Sequence, residues 1–182
     1  MIQLDTSWLQ HVQKPARYTG GEYNSIVKDH STVDVTMALG FPDVYEVAMS
    51  HLGIKILYGL VNRREDAVAE RVFAPWHDME EEMRKRNIPL FSLETRTPIK
   101  DFDVLAFTLQ YEMSFTNILN MLDLAGIPMY AKERDLDFPL LVCGGPCAYN
   151  VEPIADFFDI VSLGESEEWG DEFIDLFKAE KA

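Results

Sequence analysis

From Val33 onward, short runs of β-branched and other apolar residues alternate with helical patterns of about 10 to 15 residues, and few folds accommodate that alternation. Parallel strands cannot be joined by tight hairpins, so each needs a crossover long enough to hold a helix. The expected strands are Val33 to Phe41, Arg71 to Ala74, Asp103 to Leu109, Leu140 to Cys143 and Ile160 to Leu163. The fourth is a continuous apolar run, the pattern of a strand covered on both faces. The expectation is therefore an α/β domain over 33–182 with a five-stranded parallel sheet between two helical layers. Residues 1–32 contain Lys14-Pro15 and Gly20-Gly21 and hold no sustained period, which predicts an irregular arm.

The helices follow from spacing. Ser50 is the expected cap of a helix in which Ile54, Leu57, Leu60 and Val61 share a face. A second helix, from about Pro75 to Arg86, offers acid-to-base pairs Glu80 to Arg84, Glu81 to Lys85 and Glu82 to Arg86 at i, i+4, read as a solvated face. A third, about Ser114 to Ala125, carries a stripe of Phe115, Ile118, Leu119, Leu122 and Ala125 and is stopped by Gly126 and Pro128. A terminal acidic helix follows Gly164.

Charge narrows the partners. Sixteen Lys and Arg against 31 Asp and Glu give a net charge of −15, which excludes general affinity for nucleic-acid phosphates or anionic lipid. The excess sits at the end, where residues 133–182 hold 13 acidic and 3 basic side chains. No run approaches the roughly 18 to 20 apolar residues that cross a bilayer, and Met1 to Gln13 lacks a signal-peptide pattern. A soluble cytoplasmic protein without nucleic-acid or membrane partners is the expectation.

In open α/β sheets, ligands sit outside the carboxyl ends of the strands, where the strand order reverses. Four loops there are unusual: Phe41-Pro42-Asp43-Val44-Tyr45, Thr108-Leu109-Gln110-Tyr111-Glu112, Gly144-Gly145-Pro146-Cys147 and Gly164-Glu165-Ser166-Glu167. They offer aromatics, amides, hydroxyls and glycines that let backbone approach a ligand, although Gly144-Gly145 alone is an ordinary turn. Tyr45, Gln110, Tyr111 and the glycine pair are expected to face one hollow. His11, His30, His51 and His77 show no ligand spacing, so no metal site is assigned. The ordinary reading of His51 is a first-turn hydrogen-bonding residue. Cys143 reads as inert core, and Cys147 has no visible base to activate it. Neither a phosphate loop of the G-x-x-x-x-G-K type nor a G-x-G-x-x-G occurs.

The ordered segments Lys14 to Glu22, Phe41 to Glu46, Ser50 to Gly53, Phe73 to Trp76, Thr108 to Tyr111, Gly144 to Pro146 and Gly164 to Glu167 together resemble a known module. It is the N-terminal cobalamin-binding-like domain of uncharacterised radical SAM proteins. The resemblance implies a flavodoxin-like three-layer sandwich with strand order 2-1-3-4-5. It also implies a partner, a radical SAM catalytic barrel whose [4Fe-4S] cluster cleaves S-adenosylmethionine and whose C-x-x-x-C-x-x-C loop these residues do not contain. Cys143 and Cys147 have the first spacing of that loop, but Asn150 stands where a third thiolate is required.

For cobalamin, the resemblance implies binding at Pro42, Asp43, Tyr45, His51, Thr108, Gln110, Tyr111, Gly144, Gly145, Pro146, Gly164 and Glu165. In the D-x-H-x-x-G pattern Tyr45 takes the histidine's place and Ala48 the last glycine's, so Tyr45 is expected to pack under the ring without ligating cobalt. Thr108-Leu109-Gln110 resembles the S-x-L element, and Gly144-Gly145 the glycine pair of the nucleotide-tail channel. The implied function is an accessory domain that binds cobalamin or caps the substrate side of the barrel and is not catalytic alone. The alternative is a cofactor-free interaction or regulatory module that docks through its acidic tail or the same loops to a catalytic partner, which charge expects to be basic. An independent enzyme would need an acid, base or nucleophile that Glu112, Glu165, His51 and Cys147 do not assemble.

Overall fold

The computed structural model describes residues 6–181. Five strands, β1 (Val35–Phe41), β2 (Ala67–Phe73), β3 (Val104–Thr108), β4 (Leu140–Gly144) and β5 (Ile160–Val161), pair in the order β2-β1-β3-β4-β5. Every neighbouring pair is parallel, giving the flavodoxin-like α/β arrangement. The helices are α1 (Tyr45–Ser50), α2 (Leu52–Asn62), α3 (His77–Arg86), α4 (Phe115–Ala125) and α5 (Ser166–Lys181). Because strand side chains alternate in direction, the sheet builds two cores. Met37, Leu39, Val104 and Val142 face α2 and α5. Ala38, Leu105, Phe107 and Leu141 face α3 and α4.

Three local expectations change. Ser50 does not cap the helix that follows; it ends α1, its hydroxyl donating back to the carbonyls of Glu46 and Val47. The cap of α2 is His51, whose Nδ1 accepts the Ile54 N–H. Strand β2 begins four residues before Arg71, because its charged residues find partners that keep the strand buried. In α3, Glu80 bonds Arg84 and Glu82 bonds Arg86, whereas Lys85 reaches Glu82 in place of Glu81. The Asn87 and Gly126 left-handed caps end α3 and α4 as turn chemistry requires.

Within the described residues the arm has neither α-helix nor strand, but it is ordered against the domain. It folds into 3-10 turns at Thr6–His11, Pro15–Tyr18 and His30–Thr32. Trp8, Leu9 and Val12 are buried in the core on the α3/α4 face. Its later part covers β2, which is an edge strand and would otherwise be open to pairing. There the successive residues Glu70 and Arg71 point to opposite faces and both are buried. Glu70 accepts from the Ser92 and Thr95 hydroxyls and the Thr95 N–H, and meets His30 Nε2 at 2.7 Å. Burial alone would raise Glu70, but these partners outweigh it and hold its carboxyl below the usual range. Arg71 bonds Glu94 at 2.6 Å and lies over the Tyr58 ring. Burial pushes Glu94 above the usual range despite that guanidinium.

Two further contacts tie the arm down. The Lys28 ammonium donates to the carbonyls of Asn62, Arg64 and Ala67, satisfying the end of α2 and the start of β2 at once. Glu46 accepts from Lys14 at 2.8 Å and from Arg17, which also lies over Trp76.

Two outcomes follow from these contacts. Glu70→Ala leaves the three buried donors of Ser92 and Thr95, and the partly buried His30, without their acceptor and is expected to cost about 3 kcal/mol in urea denaturation, more than any surface ion-pair variant. The Lys14 and Arg17 bonds hold Glu46 down to about 2, so its stabilisation of the arm is complete above an ordinary glutamate pKa of about 4.3 and is lost as pH falls toward the folded value. Amide-exchange protection factors at residues 14–18 are expected to fall over that interval, and to lack the transition in Glu46→Gln.

Candidate functional site

The α2/α5 side of the sheet is incompletely filled. Ala106 and Thr108 lie on β3, the central strand, yet both are only half-buried, where a strand covered on both faces would be closed. They form the floor of a cavity of about 250 Å³ that opens at the carboxyl edge of the strands. Ile54, Leu57 and Val61 of α2 form one wall, and Trp169 and Phe173 of α5, stacked at 4.7 Å, form another. The void exists because Ala106, Gly53 and Gly170 present little or no side chain to it.

The mouth is polar and its bonds are directional. Since His51 Nδ1 accepts the Ile54 N–H, the ring proton is on Nε2, which donates to Gln110 Oε1 at 3.1 Å. The Gln110 amide then donates to the Thr108 hydroxyl. Gly53 makes this possible: a Cβ there would lie 2.9 Å from the His51 ring. On the far side, Gly144 and Gly145 cross the end of β3, with the Leu109 N–H bonded to the Gly144 carbonyl and the Cys147 N–H to that of Leu109. Gly145 has φ +104°, and a Cβ would stand 3.0 Å from the Leu109 carbonyl oxygen and 3.1 Å from the Thr108 hydroxyl. Ser162 and Ser166 also line the cavity. Ser162 is 5% exposed.

Of the residues singled out in the sequence, His51, Thr108, Gln110, Gly144, Gly145, Gly164 and Glu165 line this cavity. The expectation that Tyr45 and Tyr111 share it is corrected. Tyr45 opens α1, stands edge-on to Phe73, and lines a separate hollow of about 30 Å³ beneath the arm with Arg17, Tyr18 and Arg71. Its location follows from α1, a helix the sequence reading did not expect. Tyr111 turns outward and donates to Asp43 at 2.5 Å, a bond that pushes the phenol pKa up and ties the loop after β1 to the loop after β3. Pro42 is buried and its carbonyl accepts from Asn117, while Pro146 starts a surface 3-10 turn. Both lie off the cavity lining.

The reading missed Ala106, Ser162 and Trp169. Trp169 left a trace, as the lone large aromatic at the start of an acidic helix. Ala106 and Ser162 left none, since a small residue and a serine in strands look like ordinary core. The cysteines offer no nucleophile: burial pushes the Cys143 thiol up to about 12, and burial and then Glu112 raise Cys147. Among the described residues, no three His, Cys, Asp or Glu side chains converge as a metal site would require. No helix there is long and apolar enough to cross a membrane.

The chain is thus an α/β domain whose doubly wound parallel sheet carries an apolar cavity with a few convergent polar groups at its carboxyl edge, the edge at which open α/β sheets take ligands. Residues 53–182 match the model of the family described as radical SAM proteins, N-terminal, and the chain belongs to that family. It is also similar to uncharacterized protein MJ0966 of Methanocaldococcus jannaschii, at 27% identity over 134 residues. That alignment covers 72% of this chain and 24% of MJ0966, so the chain spans about a quarter of its relative's length. The family match takes in the cavity's walls and the loops after β3, β4 and β5, whereas the arm and β1 precede it.

Gly145→Ala places a side chain in a strained conformation against the Leu109 backbone, and is expected to lower stability by about 2 kcal/mol in urea denaturation. Gly164→Ala serves as the comparison. Gly164 also has positive φ, +103°, but a Cβ there meets nothing within 4 Å, so the smaller loss reports the conformational part alone.

Proposed function

We propose that this domain is the accessory part of a radical SAM protein, holding the tail of a corrinoid in its carboxyl-edge cavity and presenting that edge to the catalytic portion. The observation that carries the reading is the open floor at Ala106 and Thr108, a slot between sheet and helices where a filled core would be expected. The cavity, at about 250 Å³, is smaller than a whole corrinoid and would take only part of one. Thr108, Gly144, Gly145 and Ser162 are the residues that would hold the tail, with Gly145 permitting close backbone approach. His51 caps α2 and bonds Gln110, and would shape the mouth through which the group enters. When bound, a corrinoid supplies cobalt-centred group-transfer or one-electron chemistry. The chain's own contribution is binding, orientation and exclusion of water from the slot.

The edge also carries the surface for meeting the rest of such a protein. Met113, Tyr149 and Leu163 are exposed on loops that follow β3, β4 and β5. They lie beside Glu112, Glu165 and Glu167, which favours a contact surface combining apolar and basic groups.

The test is to load the purified chain with hydroxocobalamin, desalt it, and record visible absorbance against protein. Retention near one equivalent is expected, falling at least tenfold in Ala106→Leu, where the added side chain occupies the slot. Loss of all absorbance from a chain that keeps its far-ultraviolet circular dichroism would overturn the corrinoid part of the reading.

A further inference from the structure

Helix α2 is apolar nearly all round, the pattern of a helix covered on every side. Lys55 is the single charge among its 11 residues. Ile54, Tyr58 and Val61 are buried, yet Leu52, Ile56 and Gly59, at i, i+4 and i+7, form a second stripe that is exposed. Leu52 is 68% exposed, and Val47 of the preceding α1 is open as well. The arm runs along one flank of α2, where the Ile26 N–H donates to the Tyr58 hydroxyl at 2.7 Å and the Lys28 ammonium to the Asn62 carbonyl. It adds the exposed side chains of Tyr23 and Val27. We infer that this face is the interface of a two-fold homodimer, with α2 packed antiparallel on the α2 of a second copy. A dimer of this kind forms whatever the cavity holds.

Charge selects the occupant. A two-fold interface sets a patch against itself, so a charge within it meets its own kind. Elsewhere the exposed apolar residues sit among acids. Met113 follows Glu112, Leu136 lies between Asp135 and Asp137, and Leu176 stands one turn from both Glu172 and Glu180. Those places repel a second copy of a chain with net charge −15 and suit basic partners. The α2 face is different. The carboxylates next to Val47 and Tyr23 are already answered, Glu46 by Lys14 and Arg17 and Glu22 by Arg71. Lys55 remains, and its long stem covers apolar surface while the ammonium reaches water at the rim.

Shape agrees. Nothing lies within 4 Å of a Cβ built on Gly59, so the outward surface there is bare backbone and a second helix approaches closely. Where two antiparallel copies of α2 cross near Ile56 and Gly59, the isoleucine of each falls on the glycine of the other, and Leu52 extends the contact at either end. Tyr23 and Val27 widen the patch on the arm side. So few apolar side chains from each copy fit the small end of specific interfaces, about 1,200 Å² in total, and a dissociation constant on the order of 10 µM. The remaining charge of the two copies opposes association through solvent, over a Debye length of about 10 Å at 0.1 M salt. Salt therefore strengthens this dimer, the opposite of an encounter between acidic and basic surfaces.

The experiment is sedimentation equilibrium of the full 182-residue chain from about 1 to 200 µM. A monomer–dimer equilibrium is expected, tightening at least threefold between 20 and 150 mM sodium chloride. Leu52→Glu should weaken it at least tenfold while keeping its circular dichroism, since a carboxylate in the first turn suits the helix dipole. Gly59→Gln gives an independent reading. Its side chain obstructs the second helix and weakens association at least threefold, yet the thermal midpoint of the monomer rises, because glutamine holds a helix better than glycine. Leu176→Glu, on the similarly exposed side of α5, should change the equilibrium less than twofold. A chain that is monomeric at 200 µM, one whose association weakens with salt, or one disrupted as much by Leu176→Glu as by Leu52→Glu overturns the inference.

Discussion

A parallel sheet leaves no face free. Its strands are joined by crossovers that lay helices over both surfaces, and each strand residue must pack into one layer or the other. The sheet here obeys this constraint everywhere except beneath the junction of α2 and α5, where Ala106 on the central strand is too small to meet the helices. On the opposite surface Phe107 fills its space so fully that the neighbouring strand tolerates no side chain at Gly40, where a Cβ would come within 2.6 Å of the ring. The close packing of one layer and the opening in the other are built by adjacent residues of β3. A cavity at the carboxyl edge is thus a property of the sheet's geometry, and its polar mouth follows from the loops that the same edge gathers.

The edge strand β2 states a second constraint. An uncovered strand edge invites pairing with other chains, and a strand carrying Glu70 and Arg71 cannot be buried unless both charges are matched. The arm and the segment from Leu90 to Thr97 meet both demands, covering the edge while supplying His30, Ser92, Glu94 and Thr95. The arm thereby becomes part of the domain. Its Arg17 and Tyr18 also line the small hollow beside Tyr45. The domain so completed belongs to the radical SAM N-terminal family, and much of the relative's length lies outside the match.

Much of this was legible in the residues. Five strands, their order once the resemblance was drawn, and the helices over 77–86, 115–125 and after Gly164 all follow from periodicity and turn chemistry, because those signals are local. So do Gln110, Thr108 and the glycine pair as neighbours, since parallel strands bring their carboxyl ends to one edge. The errors fell where a local signal had two readings. Ser50 and His51 can each cap a helix, and only the break between α1 and α2 assigns the role to His51. A charged pair at 70 and 71 reads as the start of a strand until its buried partners, up to 49 residues away in sequence at Glu22, are in place.

By itself, then, the sequence determined the sheet, its two covered faces and the edge at which a ligand would meet the chain, because alternation and crossover length are properties of neighbouring residues. Which side chains share the cavity was decided only in three dimensions. The direction of Tyr45 depends on a helix of 6 residues, and that of Tyr111 on a bond to Asp43, 68 positions earlier. Whether small residues leave a void or are packed over depends on how far two helices stand from a sheet, a distance that no stretch of sequence encodes alone.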